Sequence, residues 1–155
     1  AKAAGKDGKY TQAFGAYGPE RRGAPVRAFC RIDDKPVVIR SHVQNPDYVI
    51  VLDPSLLGLP EVTEGLKTET KIMINGEKRD LNVTNEVHFF DASSLALNLI
   101  GKEIVNTAML GVFSKVSDIV SLDSIKKAIE DNFPDKLAES NKKLVEESYN
   151  GVIND

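Results

Sequence analysis

The segment DYVIVLD, from Asp47 to Asp53, is a continuous apolar run held between two acids. It is too short for a helix and shows no polar alternation. Its β-branched core, Val49, Ile50 and Val51, favours extended backbone. Such a run predicts a strand buried on both faces, as in a parallel sheet covered by helices. Pro54 follows at once and suits the first position of a short helical turn over PSLLG, Pro54–Gly58.

Two similar runs lie downstream. KIMING (Lys71–Gly76) and EVHFFD (Glu86–Asp91) predict further strands. Upstream, a short strand is expected around Tyr10–Phe14. VRAFCRI (Val26–Ile32) alternates apolar residues with arginine, which predicts another strand. Asp33-Asp34 reads as a turn, and PVVIR (Pro36–Arg40) as the hairpin partner, with Pro36 tolerated at its start.

Helices dominate the remainder. DASSLALNLIG has Asp91 as N-cap and Gly101 as stop. NTAMLGVFSKV has Asn106 as a cap and Met109, Leu110, Phe113 and Val116 at helical spacing, which reads as core packing. Gly111 inside it costs about 1 kcal/mol against Ala, so another element is expected to approach closely there. SLDSIKKAIEDNF starts near Ser121 or Asp123 and ends before Pro134. PDKLAESNKKLVEESYNG predicts a last amphipathic helix with Leu137, Leu144, Val145 and Tyr149 inward. At the other end, AKAAG reads as the last turn of a helix closed by Gly5. The fold class is therefore α/β: a mostly parallel sheet flanked by helices, with an antiparallel strand pair near the N-terminus and a helical C-terminal tail.

The 155 residues suit one domain with a real core. A net charge of −3 argues against nucleic acid as a partner. The average hides an asymmetry: residues 1–40 carry nine Lys/Arg against four acids, and residues 121–155 carry five Lys against eight acids. No apolar run approaches the roughly 18 residues of a membrane span. A single cysteine, Cys30, excludes an internal disulfide and a cysteine metal cluster. A cytoplasmic setting is expected.

Catalytic signatures are missing. Ser93-Ser94 lacks a nucleophile-elbow context, and no phosphate-binding loop or zinc-protease motif occurs. Cys30 reads as a buried structural thiol, and His42 and His88 as structural histidines. Asp53 sits where a parallel strand ends, the usual place for ligands in α/β sheets, but it also suits a cap for the Pro54 turn. Asn75 and Asp91 occupy equivalent strand ends. GPERRGAP (Gly18–Pro25) places Glu20, Arg21 and Arg22 between Gly and Pro residues. It reads as a solvated turn, a phosphate grip or an interface device. Arg forks suit carboxylates and phosphates. Asn106 and Thr107 open a helix whose N-terminus is a ready anion site.

AFGAYGPERRGAPVRAFCRI, PDYVIVLDPSLL, VTEGLK, IVNTAMLGVFSK and SLDSIKKAIEDNFPDKLAESNKKLVEESY occur in this order over nearly the whole chain. Together they resemble the gamma subunits of pyruvate:ferredoxin oxidoreductase (pyruvate synthase) and of its relative, 2-oxoisovalerate:ferredoxin oxidoreductase. The resemblance implies an enzyme that oxidatively decarboxylates a 2-oxoacid, makes an acyl-coenzyme A and passes electrons to ferredoxin, or runs in reverse. It implies thiamine diphosphate, Mg and iron–sulfur clusters in the alpha, beta and delta partner subunits, and coenzyme A as co-substrate. This chain would bind none of these cofactors alone, hold no metal and carry no catalytic residue. Glu20, Arg21, Arg22, Asn106 and Thr107 would serve coenzyme A or a subunit interface. The family pattern begins with a strand and a Gly-rich turn, so residues 1–155 are expected to be one gamma domain lacking that natural start. Two alternatives stay open: a free-standing doubly wound nucleotide-binding module using Asp53, Asn75 and Asp91, and an interaction scaffold without a ligand.

Overall fold

The structure is a computed structural model and describes residues 1–16 and 25–152. The chain opens with a single-turn helix, α1 (Lys2–Lys6). Gly5 lies inside it rather than closing it; the left-handed glycine is Gly8, at φ 79°. Strands β1 (Tyr10–Ala16) and β2 (Arg27–Asp33) then pair antiparallel, from Tyr10 opposite Asp33 to Ala16 opposite Arg27. The early strand pair is thus present, but with a different partner from the one expected. Pro36–Arg40 joins no ladder. The reason lies at the turn: the Asp33 carboxylate accepts from the Lys35 amide at 3.0 Å, and Pro36 has no N–H to offer. The chain leaves the hairpin, and Val38 is left 82% exposed.

The three apolar runs form the parallel sheet, β3 (Tyr48–Val51), β4 (Lys71–Asn75) and β5 (Val87–Phe90), in that spatial order. Ile50 lies beside Met73, and Met73 beside His88; Val51 lies beside Ile74, and Ile74 beside Phe89. This register divides the core. Val49, Val51, Ile72, Ile74, Val87 and Phe89 share one face. That face is closed by the 3-10 turn Pro54–Gly58, by α2 (Pro60–Thr63) and by Leu66, Leu81 and Val83. Tyr48, Met73 and Phe90 face the helices α3 (Ala92–Ile100), α4 (Val105–Ser117) and α6 (Asp135–Gly151). Helices therefore cover one face and short turns the other. β3 is not buried on both faces as expected: Val51 is enclosed, whereas Ile50 on the opposite face is exposed, as is Leu52 just beyond the strand.

The helix signals translate into caps. Asp91 accepts from the Ser94 amide at 2.9 Å, and Gly101 closes α3 at φ 73°. Ser121 caps α5 (Leu122–Glu130) through the Ser124 amide. Asn106 does not cap α4, which starts one residue earlier at Val105. In α6, Leu137 points outward and Tyr149 is half-buried; the inward stripe is Ala138, Asn141, Leu144, Val145 and Ser148. Small and polar residues there allow close helix contact.

Asp7 ties the first helix to α5. Its carboxylate accepts from the Ser121 amide at 2.8 Å, the Ser121 hydroxyl at 2.7 Å and the Ser124 hydroxyl at 2.6 Å. Burial alone would push this carboxyl up, but the Ser124 and Ser121 hydrogen bonds outweigh it and hold it below its ordinary 3.8. A negative charge at the N-terminus of α5 is also favourable. A folded-state pKa below the unfolded one gives stability that is complete above the unfolded value and is lost as pH falls through the folded one. Asp7→Ala is therefore expected to cost about 1–3 kcal/mol at pH 7. The deficit relative to wild type should shrink below about pH 4. Denaturant titrations from pH 2.5 to 7 measure this; a deficit that stays constant across the range would contradict it.

Candidate functional site

The strand ends that attract attention in an α/β sheet are occupied by the protein itself. Asp53 accepts from the Ser55 amide at 2.9 Å and caps the 3-10 turn; Ser55's hydrogen bonds hold its carboxyl low. Asp91 is bound to Ser94 in the same way, with its pKa likewise lowered. Asn75 is 4% exposed. Its amide nitrogen donates to the Leu52 carbonyl at 2.9 Å and the Ser93 hydroxyl at 3.1 Å. Its oxygen accepts from the Ala92 and Ser93 amides at 3.0 and 3.2 Å. These three residues lock strand ends to the following helices and leave no open nucleotide cradle at those positions.

The open space lies elsewhere. A cleft of about 1900 Å³ separates the hairpin from the sheet and α4. Arg27, Phe29, Arg31 and His42 line it on the hairpin side, and Ile50, Asn106, Leu110 and Phe113 on the sheet and helix side. β3 presents its unpaired edge to this cleft, since β4 is its only neighbour among the described residues. Leu110, expected in the core, is 42% exposed here, while Met109 beside it is buried.

The hairpin wall is aromatic and cationic. Phe14 and Phe29 oppose each other in the ladder with ring centroids 5.5 Å apart. His42 stacks on Phe29 at 4.8 Å and 19°. The Arg27 guanidinium lies 6.0 Å from the Phe29 ring centre, within cation–π range. Arg31 donates to Gln12 Oε1 at 3.3 Å and to the His42 carbonyl at 3.2 Å. Neither guanidinium meets a carboxylate among the described residues.

Of the residues singled out in the sequence, Asn106 reaches the cleft, in the first turn of α4, where its side-chain oxygen accepts from the Thr107 amide at 2.9 Å. Thr107 is buried and turns inward. Glu20, Arg21 and Arg22 lie outside the described residues. The residues missed are Arg27, Phe29, Arg31 and His42. A signal existed for three of them, because i, i+2 and i+4 on a strand share one face. Cys30, on the opposite face of β2, is exposed rather than buried. A cubane cluster takes four ligands, so one exposed cysteine does not fit one. Among the described residues no group of three His, Cys, Asp or Glu side chains is placed to hold a metal ion. His88 is structural: its Nε2 meets Glu86 at 2.7 Å, and Glu86 also receives Lys71 at 3.1 Å.

The fold and the site define a small α/β domain whose sheet end is locked by its own side chains and whose cleft has an aromatic and arginine-bearing hairpin wall. The chain belongs to the pyruvate ferredoxin/flavodoxin oxidoreductase family, whose model matches residues 1–151. It is 50% identical to pyruvate synthase subunit PorC of Methanocaldococcus jannaschii, over 99% of this chain and 86% of that protein. It is 44% identical to the pyruvate/ketoisovalerate oxidoreductases common subunit gamma of Thermococcus kodakarensis, over 99% of this chain and 86% of that one. The crystal structure of pyruvate oxidoreductase subunit PORC from Thermotoga maritima superposes with a TM-score of 0.87 at 38% identity, covering 99% of this chain and 85% of that one. No described helix is long and apolar enough to cross a membrane.

Proposed function

We propose that this chain is the gamma subunit of a pyruvate:ferredoxin oxidoreductase. That enzyme converts pyruvate and coenzyme A to acetyl-coenzyme A and CO2 with two electrons passed to ferredoxin, or catalyses the reverse synthesis. The observation that carries this reading is similarity at 50% identity along 99% of the chain to a pyruvate synthase subunit. Thiamine diphosphate, Mg and the iron–sulfur clusters belong on this reading to the alpha, beta and delta partners. The chain's own part is to complete the assembly and to frame the approach of coenzyme A, with Glu20, Arg21, Arg22 and Asn106 on the surface that does so. Thr107, being buried, supports the helix end rather than touching a ligand.

Reconstitution tests this. Alpha, beta and delta subunits are assayed for pyruvate-dependent ferredoxin reduction with and without this chain. Activity and assembly should require it; full coenzyme A-dependent activity without it would overturn the proposal. Arg21→Ala/Arg22→Ala should raise the KM for coenzyme A or weaken assembly, and unchanged values for both would remove that pair from the surface. A second 2-oxoacid is worth the same assay, because a relative 44% identical is a subunit common to pyruvate and ketoisovalerate oxidoreductases.

A further inference from the structure

After β2 the chain leaves the hairpin as PVVIR, residues 36–40, and forms a bare bracket on its surface. Both ends of the bracket are fixed. At one, the Lys35 amide donates to the Asp33 carboxylate at 3.0 Å. At the other, the His42 carbonyl accepts from Arg31 at 3.2 Å and the His42 ring stacks on Phe29. Between those ties no backbone–backbone hydrogen bond among the described residues reaches residues 36–40. Val38 is 82% exposed and Ile39, beside it, 58%. A lone exposed valine is ordinary. Two consecutive β-branched side chains on an unpaired backbone are a template for another chain, which folded proteins otherwise blunt or cover.

The charges say what kind of chain. Lys35 and Arg40 flank the apolar pair, both are exposed, and neither meets a carboxylate among the described residues. The pattern extends beyond them: residues 1–40 carry nine Lys/Arg against four acids in a chain of net charge −3. An apolar centre with a cationic rim that its own fold leaves unanswered fits a protein surface whose rim is acidic. A second copy joined across a two-fold axis through this bracket would set the same cations against each other. We propose that residues 35–40 dock onto a partner subunit, with Val38 and Ile39 entering an apolar recess and Lys35 and Arg40 meeting acidic side chains at its rim. That partner subunits exist rests on the gamma-subunit reading; the chemistry of the seat rests on the bracket itself. Because both ends are fixed beforehand, docking orders little chain.

The assembling enzyme provides the test. The full chain is titrated into alpha, beta and delta subunits. The concentration giving half-maximal pyruvate-dependent ferredoxin reduction is read at several salt concentrations. Val38→Asp/Ile39→Asp should raise that concentration by about ten-fold or more, as removal of an apolar anchor implies. Lys35→Glu/Arg40→Glu should raise it as well and flatten its salt dependence, because rim charges act through screened attraction. At saturating chain, kcat and the KM values for pyruvate and coenzyme A should match wild type. Unfolding midpoints of the variant chains should match too, since the altered side chains are exposed. Unchanged half-maximal concentrations in both variants would overturn the inference and leave the subunit reading standing, because that reading is decided by omission of the chain. Activity that does not need the chain would overturn both. A lowered midpoint for Val38→Asp/Ile39→Asp would overturn the inference in favour of cover by the chain's own residues. A raised KM for coenzyme A at an unchanged half-maximal concentration would overturn it in favour of a ligand contact. A wild-type chain that dimerises alone, and loses the dimer in Val38→Asp/Ile39→Asp, would overturn it in favour of a second copy.

Discussion

Gly111→Ala is expected to destabilise the chain by about 3 kcal/mol, against the gain of about 1 kcal/mol that the same change brings in an exposed helix. The sign reverses because α4 and α6 touch at this residue. A Cβ on Gly111 would overlap the Ser148 hydroxyl and the Val145 carbonyl oxygen and lie 3.0 Å from the Tyr149 amide nitrogen. Two of those three atoms are backbone and cannot rotate away. The third could, but Ser148 Oγ donates to the Ala108 carbonyl at 2.7 Å in a fully buried position, and turning it would break that bond. Helix α6 must therefore move outward, opening contacts around Val112, Leu144 and Val145, all completely enclosed. Overpacking and a lost buried hydrogen bond each contribute roughly 1–3 kcal/mol. In a domain of this size the midpoint of thermal unfolding should fall by roughly 6–12 °C. The double variant Gly111→Ala/Ser148→Gly should recover only part of the loss, because the Val145 carbonyl remains in the way. A neutral or stabilising Gly111→Ala in urea titrations would show that the helices are not in contact there.

That glycine was readable beforehand as a place where something comes close, because a helix interior offers it no conformational reason. What came close was not readable. The inward stripe of α6 consists of Ala138, Asn141 and Ser148 as much as of Leu144 and Val145, and an apolar-periodicity reading assigns Leu137 to it instead. The same physics separates success from failure elsewhere. The β3, β4 and β5 runs announced themselves because burial in a parallel sheet demands continuous apolar sequence. The partner of β2 did not, because a tight hairpin and a longer-range ladder leave the same local alternation, and the decision fell to Pro36 and the Asp33–Lys35 turn. In the candidate site, Arg27, Phe29 and Arg31 were visible as a period-two pattern. His42 was not, because its position on Phe29 depends on the path of a segment without regular structure. Asp53 and Asp91 read in the sequence both as caps and as ligand positions, and Asn75 as a turn or a ligand position; in the structure all three are fastened to the protein, an ambiguity inherent to side chains that serve caps and ligands with the same atoms.

Asn75→Ala carries the other large expected effect, a loss of about 3–5 kcal/mol, and it separates those two roles directly. The side chain makes four hydrogen bonds from a nearly enclosed position at the end of β4. Truncation leaves the Ala92 and Ser93 amides, the Leu52 carbonyl and the Ser93 hydroxyl without this partner. Each buried group so stranded is penalised by roughly 1–3 kcal/mol before relaxation, and entering water recovers part of that. The consequences should concentrate where the bonds go: amide exchange of Ala92 and Ser93 should accelerate, and α3 should lose its entry before the helices α4 and α6 do. Asn75→Asp keeps the oxygen that accepts from both amides, and a negative charge suits the start of α3, so its loss should be smaller and confined to the Leu52 and Ser93 side. A residue kept for binding would behave oppositely. Its replacement would leave the unfolding midpoint unchanged and abolish a ligand's effect on it. An Asn75→Ala variant as stable as the parent would therefore reopen the strand ends as a binding site, whereas the expected loss assigns Asn75 to holding the sheet end against α3.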